Sequence, residues 1–204
     1  MNRFDLAASS WDGNSKRVQI AKSASDKILE IVPIDDKFEV LDYGCGTGLL
    51  GFALSEFSKS VIGMDSSHGM IDEFNKKANE LDFKNANAIY HDINDNHLPK
   101  NSFDLIASSM TLHHIKDTND FIQKSSQALK NGGYLCINDL VAEDGSFHES
   151  GNDGVWHLGF ELENLRVIFE SNGFDVIFLD KIFTVEKAKN YPIFLIIGQK
   201  VARL

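Results

Sequence analysis

The chain of 204 residues has few cysteines, no excess of positive charge and no long apolar run, and each lack removes a class of function. Only two cysteines are present. Cys45 lies in a glycine-rich stretch and Cys136 in an expected strand, so they build no disulfide framework and fit a reducing, cytoplasmic setting. Thirty acidic against 20 basic residues give a net charge of −10, which leaves no electrostatic footprint for a nucleic acid and favours small molecules as partners. No apolar stretch is long enough to cross a bilayer, and the opening Met1-Asn2-Arg3-Phe4-Asp5 does not resemble a signal peptide. Internal repeats and low-complexity tracts are also missing. A hydrophobic content of 43% in a chain of this length is enough for one domain with a sizeable core, expected to run over 1–204.

The centre of the sequence is Val40-Leu41-Asp42-Tyr43-Gly44-Cys45-Gly46-Thr47-Gly48. A short apolar β-rich run leads into an acid, then glycines on alternate positions, then the helix formers Leu49-Leu50-Gly51-Phe52-Ala53-Leu54. The glycines let the backbone turn tightly and approach a bound molecule, which would sit over the helix N-terminus. Gly46 to Gly51 also fits the dinucleotide pattern GxGxxG, which is weak by itself. Asp42 weighs against a dinucleotide, because an acid before the turn repels a pyrophosphate and attracts a cation.

Around this turn, alternating patterns place an amphipathic helix over about 14–31, stopped by Pro33. Strands follow at about 61–65, 88–93, 103–109 and 134–140. Lys130-Asn131-Gly132-Gly133 reads as the stop of the helix that Asp117 starts. The last two strands, about 174–179 and 191–198, are separated by about a dozen residues, too few for a helical crossover, so they should pair antiparallel.

The run Asp42-Tyr43-Gly44-Cys45-Gly46-Thr47-Gly48 closely resembles the first motif of class I S-adenosylmethionine-dependent methyltransferases. The segments Phe4-Asp5 to Trp11-Asp12, Leu112-His113-His114 and Leu129 to Ile137 resemble the same superfamily, so the likeness covers about residues 4–200. It implies an α/β, Rossmann-like three-layer sandwich with a mostly parallel seven-stranded sheet and an antiparallel last strand. It also implies S-adenosyl-L-methionine as cofactor and S-adenosyl-L-homocysteine as product. By the same resemblance Gly44, Cys45, Gly46 and Gly48 cradle the cofactor and Asp42 faces its ammonium. Asp65 and Ser66, at the end of the second strand, serve the ribose, and Asp65 lies at the expected distance of about twenty residues. Asp92 and Ile93 serve the adenine, unless Asp92 is an ordinary surface acid. Met70 packs on the adenine or in the core. Ser109 and Met110 meet the cofactor beyond the fourth strand. Residues 1–35 form an N-terminal lid and helix, in which Trp11 is a lid residue or an aromatic anchor. No Asn-Pro-Pro-Tyr-like tetrad follows the fourth strand, which again favours a small-molecule acceptor.

The segment 141–160 is glycine-rich and polar, with His148, Trp156 and His157, and it follows the fifth strand. It is the candidate substrate-covering loop. If the acceptor atom carries a proton, His114, His148 and His157 are the candidate bases. The alternative for the loop is that His157 caps the next helix and Trp156 packs on the core. No metal is expected, since neither cysteine nor carboxylate stands at ligand spacing beside His148 and His157. Two rival functions remain: a nicotinamide-dependent oxidoreductase, and a non-catalytic cofactor-binding domain.

Overall fold

The structure is a computed structural model in which residues 3–92, 97–148 and 151–201 are described. It holds one seven-stranded sheet: β1 Glu39–Tyr43, β2 Ser60–Asp65, β3 Ala86–Tyr90, β4 Phe103–Ser109, β5 Leu129–Leu140, β6 Phe174–Glu186 and β7 Asn190–Lys200. The spatial order is β3-β2-β1-β4-β5-β7-β6. β1 to β5 run parallel to their neighbours, and β7 lies antiparallel between β5 and β6. The helices are α1 Arg3–Ala7, α2 Ser15–Ile31, α3 Leu49–Ser55, α4 His68–Glu80, α5 Thr118–Ala128 and α6 Leu162–Ser171, with 3-10 turns at Ala8–Gly13 and Leu112–His114.

Successive strand residues feed opposite faces of the sheet, as the two-residue period requires. Leu41 of β1, Ile106 of β4 and Phe194 and Ile196 of β7 pack with Phe121 of α5 and Phe169 of α6. Their chain neighbours Val40, Leu105, Leu195 and Ile197 pack on the other face with Ile28 of α2, Leu54 of α3 and Phe74 of α4. Each such fully buried side chain contributes about 1.5–3 kcal/mol. Two apolar layers on either side of one sheet make the expected three-layer sandwich.

The sheet order reverses direction between β1 and β4. In open α/β sheets ligands bind at such a point, beyond the carboxyl ends of the strands. The glycine turn leaves β1 there, and Ser109-Met110 leaves β4 beside it.

Three local expectations are corrected. The helix before β5 ends at Ala128 without glycine, and Leu129 is already extended. Gly132, at φ +78°, instead serves a bulge: the β4–β5 register jumps from Phe103↔Leu129 to Leu105↔Tyr134. β6 and β7 are longer than their apolar centres, so only residues 187–189 join them instead of a dozen. The third strand stops at Tyr90, which leaves Asp92 in the segment beyond it; Ile93 lies outside the described residues.

Candidate active site

A cavity of about 1020 Å³ opens at the carboxyl edge of β1, β2 and β4. Its floor is the glycine turn. Gly44 and Cys45 donate backbone hydrogen bonds to the Met64 carbonyl oxygen of β2, at 2.7 and 3.2 Å, which fastens the turn to the sheet. Gly44 has φ +68°, and a Cβ there would fall 2.2 Å from Thr111 Oγ1, so the turn after β4 packs directly on its backbone. Gly46 is different. It has φ +51°, and a Cβ would project into the cavity with nothing nearer than Met70 Sδ and Trp11 Nε1 at 3.9 Å. Its backbone is therefore open to a ligand. Gly48 does not line the cavity; it packs on Phe52 and Phe74 as the residue that starts α3.

Three acids stand around this floor. Asp42 is 1% exposed, and its Oδ2 is buried against Gly51, where an added Cβ would fall 2.8 Å away. Burial pushes its carboxyl up to about 7 against the pull of the Gly51 N–H, and the charge of Asp65 adds to the push. Asp65 accepts from Gly46 N–H at 2.9 Å through Oδ2 and from Ser67 N–H at 2.8 Å through Oδ1. Burial raises its carboxyl too, against the pull of those N–H groups. Asp65 thus orders the turn while still facing the cavity. Asp92 lines the same cavity, as do Ser66, Met70, Ser109 and Met110. Met110 sits at φ +53°, a left-handed conformation rare for a non-glycine residue, with its N–H bound to Asn138 O. The Cys45 thiol is buried and pushed well up by desolvation, so it contributes a small neutral side chain and no nucleophile.

The N-terminal segment closes the glycine end of the cavity. Asp5 accepts from Ser67 Oγ at 2.6 Å and from Gly69 N–H at 3.1 Å. Asp12 accepts from Thr47 Oγ1 of the glycine turn and pairs with Lys77. A Cβ on Gly69 would strike the Asp5 backbone at 2.8 Å, so glycine at the start of α4 is what lets α1 dock there. Trp11 lines the cavity, with the Arg17 guanidinium 3.5 Å above its ring and the Phe4 ring edge-on at 5.9 Å. Trp11 is half-buried at the cavity wall and not part of the buried core.

At the far end the cavity meets histidines from two segments. Leu112-His113-His114 forms a 3-10 turn after β4, and the loop after β5 brings His148 to it. The loop is stapled at its base: Phe160 N–H donates to Leu140 O, and Ala142 N–H to Phe160 O. It also grips the histidine turn, because Trp156 N–H and His157 N–H both reach His113 O. His113 is 2% exposed, and its Nδ1 lies 2.7 Å from Asp139 Oδ1 of β5. Burial raises the Asp139 carboxyl, but the His113 ring and the N–H groups of Leu140 and His113 outweigh it and hold the acid below the usual range. His114 Nδ1 donates to Gly154 O at 2.7 Å. Burial, then the neighbouring His113, pulls His114 down to about 3; burial, His113 and Arg3 pull His148 down to about 4.

These positions alter the set of candidate bases. His114 and His148 line the cavity, but such low values make them poor proton acceptors near neutral pH. His157 is outside the cavity lining among the described residues. Its Nε2 donates to Ile115 O at 3.0 Å and its ring packs on Phe160, so the expectation that it faces the acceptor is corrected. It does not cap α6 either, since Glu161 holds that position, and Trp156 is 57% exposed and not packed in the core. Sequence reasoning missed Asp139 altogether. Its signal was there: two polar residues, Asn138 and Asp139, at the end of a strand otherwise buried and apolar.

A family model described as a methyltransferase domain matches residues 34–156. An uncharacterized methyltransferase of Schizosaccharomyces pombe is 33% identical over 146 residues, which are 65% of this chain and 51% of that protein. A ubiquinone biosynthesis O-methyltransferase of Pelagibacter ubique is 30% identical over 150 residues, 66% of this chain and 61% of that one. The chain thus spans about half the length of the first relative and under two thirds of the second. Among solved structures, an S-adenosylmethionine-dependent methyltransferase from Aquifex aeolicus superposes with a TM-score of 0.75 at 21% identity, covering 97% of this chain and 98% of that one.

Proposed function

The chain belongs to the class I S-adenosylmethionine-dependent methyltransferases, and from that premise we propose that it methylates a small-molecule acceptor bound beside His113, His114 and His148. The carrying observation is the division of one 1020 Å³ cavity into a glycine-and-acid end and a histidine end. Pockets of about 300–1,000 Å³ hold a drug-sized ligand, so this volume suits the cofactor together with a small acceptor.

The residues present fit the cofactor. Asp42 lines the glycine end of the cavity and suits an ammonium group, whose charge would relieve the cost of the buried carboxylate. Asp65 has oxygen lone pairs left for ribose hydroxyls after serving Gly46 and Ser67. Asp92 suits the adenine amino group. Gly46 leaves room for the ligand where any side chain would intrude. A pyrophosphate would instead meet the two carboxylates, which disfavours a nicotinamide cofactor.

When bound, the cofactor supplies a methyl group made electrophilic by its sulfonium. The chain's task is then alignment and exclusion of water. Trp11 and Phe4 cover the cofactor side, and Phe147 with the loop after β5 covers the acceptor side. The small-molecule class draws support from the net charge of −10 and from the Pelagibacter relative's name.

The test is a screen of metabolite extracts with methyl-labelled S-adenosylmethionine, with products read by mass spectrometry, alongside calorimetry with S-adenosylhomocysteine. Labelled small molecules that require the active chain are the expected result. Absence of product binding by calorimetry, or label found only on protein or nucleic acid, overturns the reading.

A further inference from the structure

The histidine end of the cavity holds an arrangement that methyl transfer by alignment alone does not call for. One ring nitrogen from each of His113, His114 and His148 lies within 4.8 Å of those of the other two. Tautomers follow from the partners of each ring. Nδ1 of His113 faces the Asp139 carboxylate and Nδ1 of His114 faces a carbonyl oxygen, so both carry the proton and donate. Nε2 of each ring is therefore left with its lone pair. On His148, Nδ1 is buried and has no partner among the described residues. The buried Nδ1 of His148 thus calls for a partner that the neighbouring rings do not supply.

We propose that His113, His114 and His148 bind one divalent transition ion, zinc in the first place, and that its open position takes an ionisable oxygen or sulfur of the acceptor. Three imidazoles with an open fourth position are a catalytic zinc arrangement. In a tetrahedral site the ligand nitrogens stand about 3.4 Å apart, so side-chain shifts of about 1 Å would complete it. Asp139 supplies what a metal-binding histidine commonly has behind it, a carboxylate that fixes the tautomer and raises ligand basicity. It is itself held by N–H groups of His113 and Leu140, at 3.1 and 2.7 Å. Arg3 Nη2 reaches His114 Nε2 at 3.5 Å, but it is at the end of an exposed side chain that can rotate away. The sequence hid this site because His148 pairs with His113 and His114, 35 and 34 positions earlier by number, and not with His157 nearby.

Neutral imidazoles leave the ion's charge uncompensated, so its open position favours an anionic atom. An acceptor O–H or S–H group would lose its proton to water on binding there. Its lone pair would then form the bond to the methyl carbon while the carbon–sulfur pair returns to the cofactor's sulfur. This role rests on the proposed methyl transfer; the metal site itself does not.

The full chain, stripped with chelator, is titrated by calorimetry with zinc chloride and, in a separate cell, with S-adenosylhomocysteine. Cobalt(II) chloride supplies the visible spectrum. Expected are saturable binding of one zinc per chain, a cobalt spectrum of a four-coordinate site with three nitrogen ligands and a water, and zinc affinity at least about 100-fold lower in His148→Ala with homocysteine-product affinity unchanged. Asp139→Asn, a positioning change, should lower zinc affinity by about 10–100-fold. If Asp139→Asn fails to fold, His114→Asn is read in its place, with circular dichroism as the control. No saturable zinc binding by the native chain, or equal binding by His148→Ala, overturns the site. Product binding without zinc binding sinks the metal and leaves the methyl-transfer reading; zinc binding without product binding does the reverse.

Discussion

The two ends of the cavity are built in opposite ways. The end proposed for the cofactor hangs on one unbroken run, Asp42 to Gly48, and on acids that end or follow the adjacent parallel strands. Its chemistry is fixed by backbone: open space at Gly46, N–H groups turned onto Asp65, an acid buried beneath. The acceptor end is assembled from the turn after β4, the end of β5 and the loop beyond it, and its chemistry is fixed by side chains. An end written in backbone should fail outright when a side chain is added. An end written in side chains should lose one function at a time.

Gly46→Val is the hardest test of that contrast and carries the largest expected effect. Its Cβ enters the ligand space, and φ +51° adds strain of about 1–2 kcal/mol. Affinity for S-adenosylhomocysteine should fall beyond detection, while circular dichroism shows a folded chain. Unchanged affinity by calorimetry would remove the turn from the cofactor site.

Asp42→Asn tests whether the buried acid is kept for the ligand and not for the fold. In the folded chain its carboxyl holds a proton up to about pH 7, but in the unfolded chain only to about pH 4. Its contribution to stability is thus fully present below about pH 4 and is lost as pH rises through about 7. The cost at pH 8 is at most about 4 kcal/mol. Asp42→Asn should therefore raise the melting temperature at pH 8 and flatten its fall between pH 5 and 8, yet weaken product binding by at least about 10-fold. Native binding near pH 6.5 should also release a proton, seen as a buffer-dependent heat. A lower melting temperature at pH 8 would show that the acid stabilises the free chain.

The same contrast explains what could be read in advance. The parallel sheet, the reversed strand and the place of the glycine turn at the cavity were legible because strand periodicity and the turn are properties of contiguous residues. The position of Asp65 at the end of β2 and in the cavity lining was legible through its distance from the turn. The partners of His148 were not, because they depend on which way the loop after β5 folds back, and that is set by backbone bonds from Trp156 and His157 to His113 O. The ends of β6 and β7 were hidden too: Asp180 and Lys181 lie on an exposed outer strand, where burial imposes no apolar alternation. Gly132-Gly133 looked like a helix stop, since a bulge and a helix end both call for a glycine.

Asp65→Ala should have an intermediate effect. It removes the acceptor expected for the ribose and frees the N–H groups of Gly46 and Ser67. Product affinity should drop by about 1–3 kcal/mol, with the fold retained. A change below the error of calorimetry would leave Asp65 as a clamp on the turn and nothing more.

The smallest expected effect belongs to His157→Ala, and it sharpens the acceptor end by marking its edge. His157 and His148 are on the same loop and share a side chain, but only His148 is in the cavity lining among the described residues. His157 Nε2 donates to Ile115 O, and its ring rests 5.3 Å from that of Phe160, whose own N–H ties the loop to Leu140. Its work is to hold the loop base against the histidine turn. Truncation removes one hydrogen bond and some ring packing, about 1–2 kcal/mol of stability, and leaves the backbone bond from residue 157 to His113 O intact. Thermal melting should show that loss, while turnover on the acceptor found in the screen stays within about 2-fold, against a loss of about 10²–10⁴-fold expected of a group acting in the chemical step. If His157→Ala abolishes turnover with its melting temperature unchanged, the boundary drawn between lining and support is in the wrong place, and the acceptor end extends along the loop to residue 157.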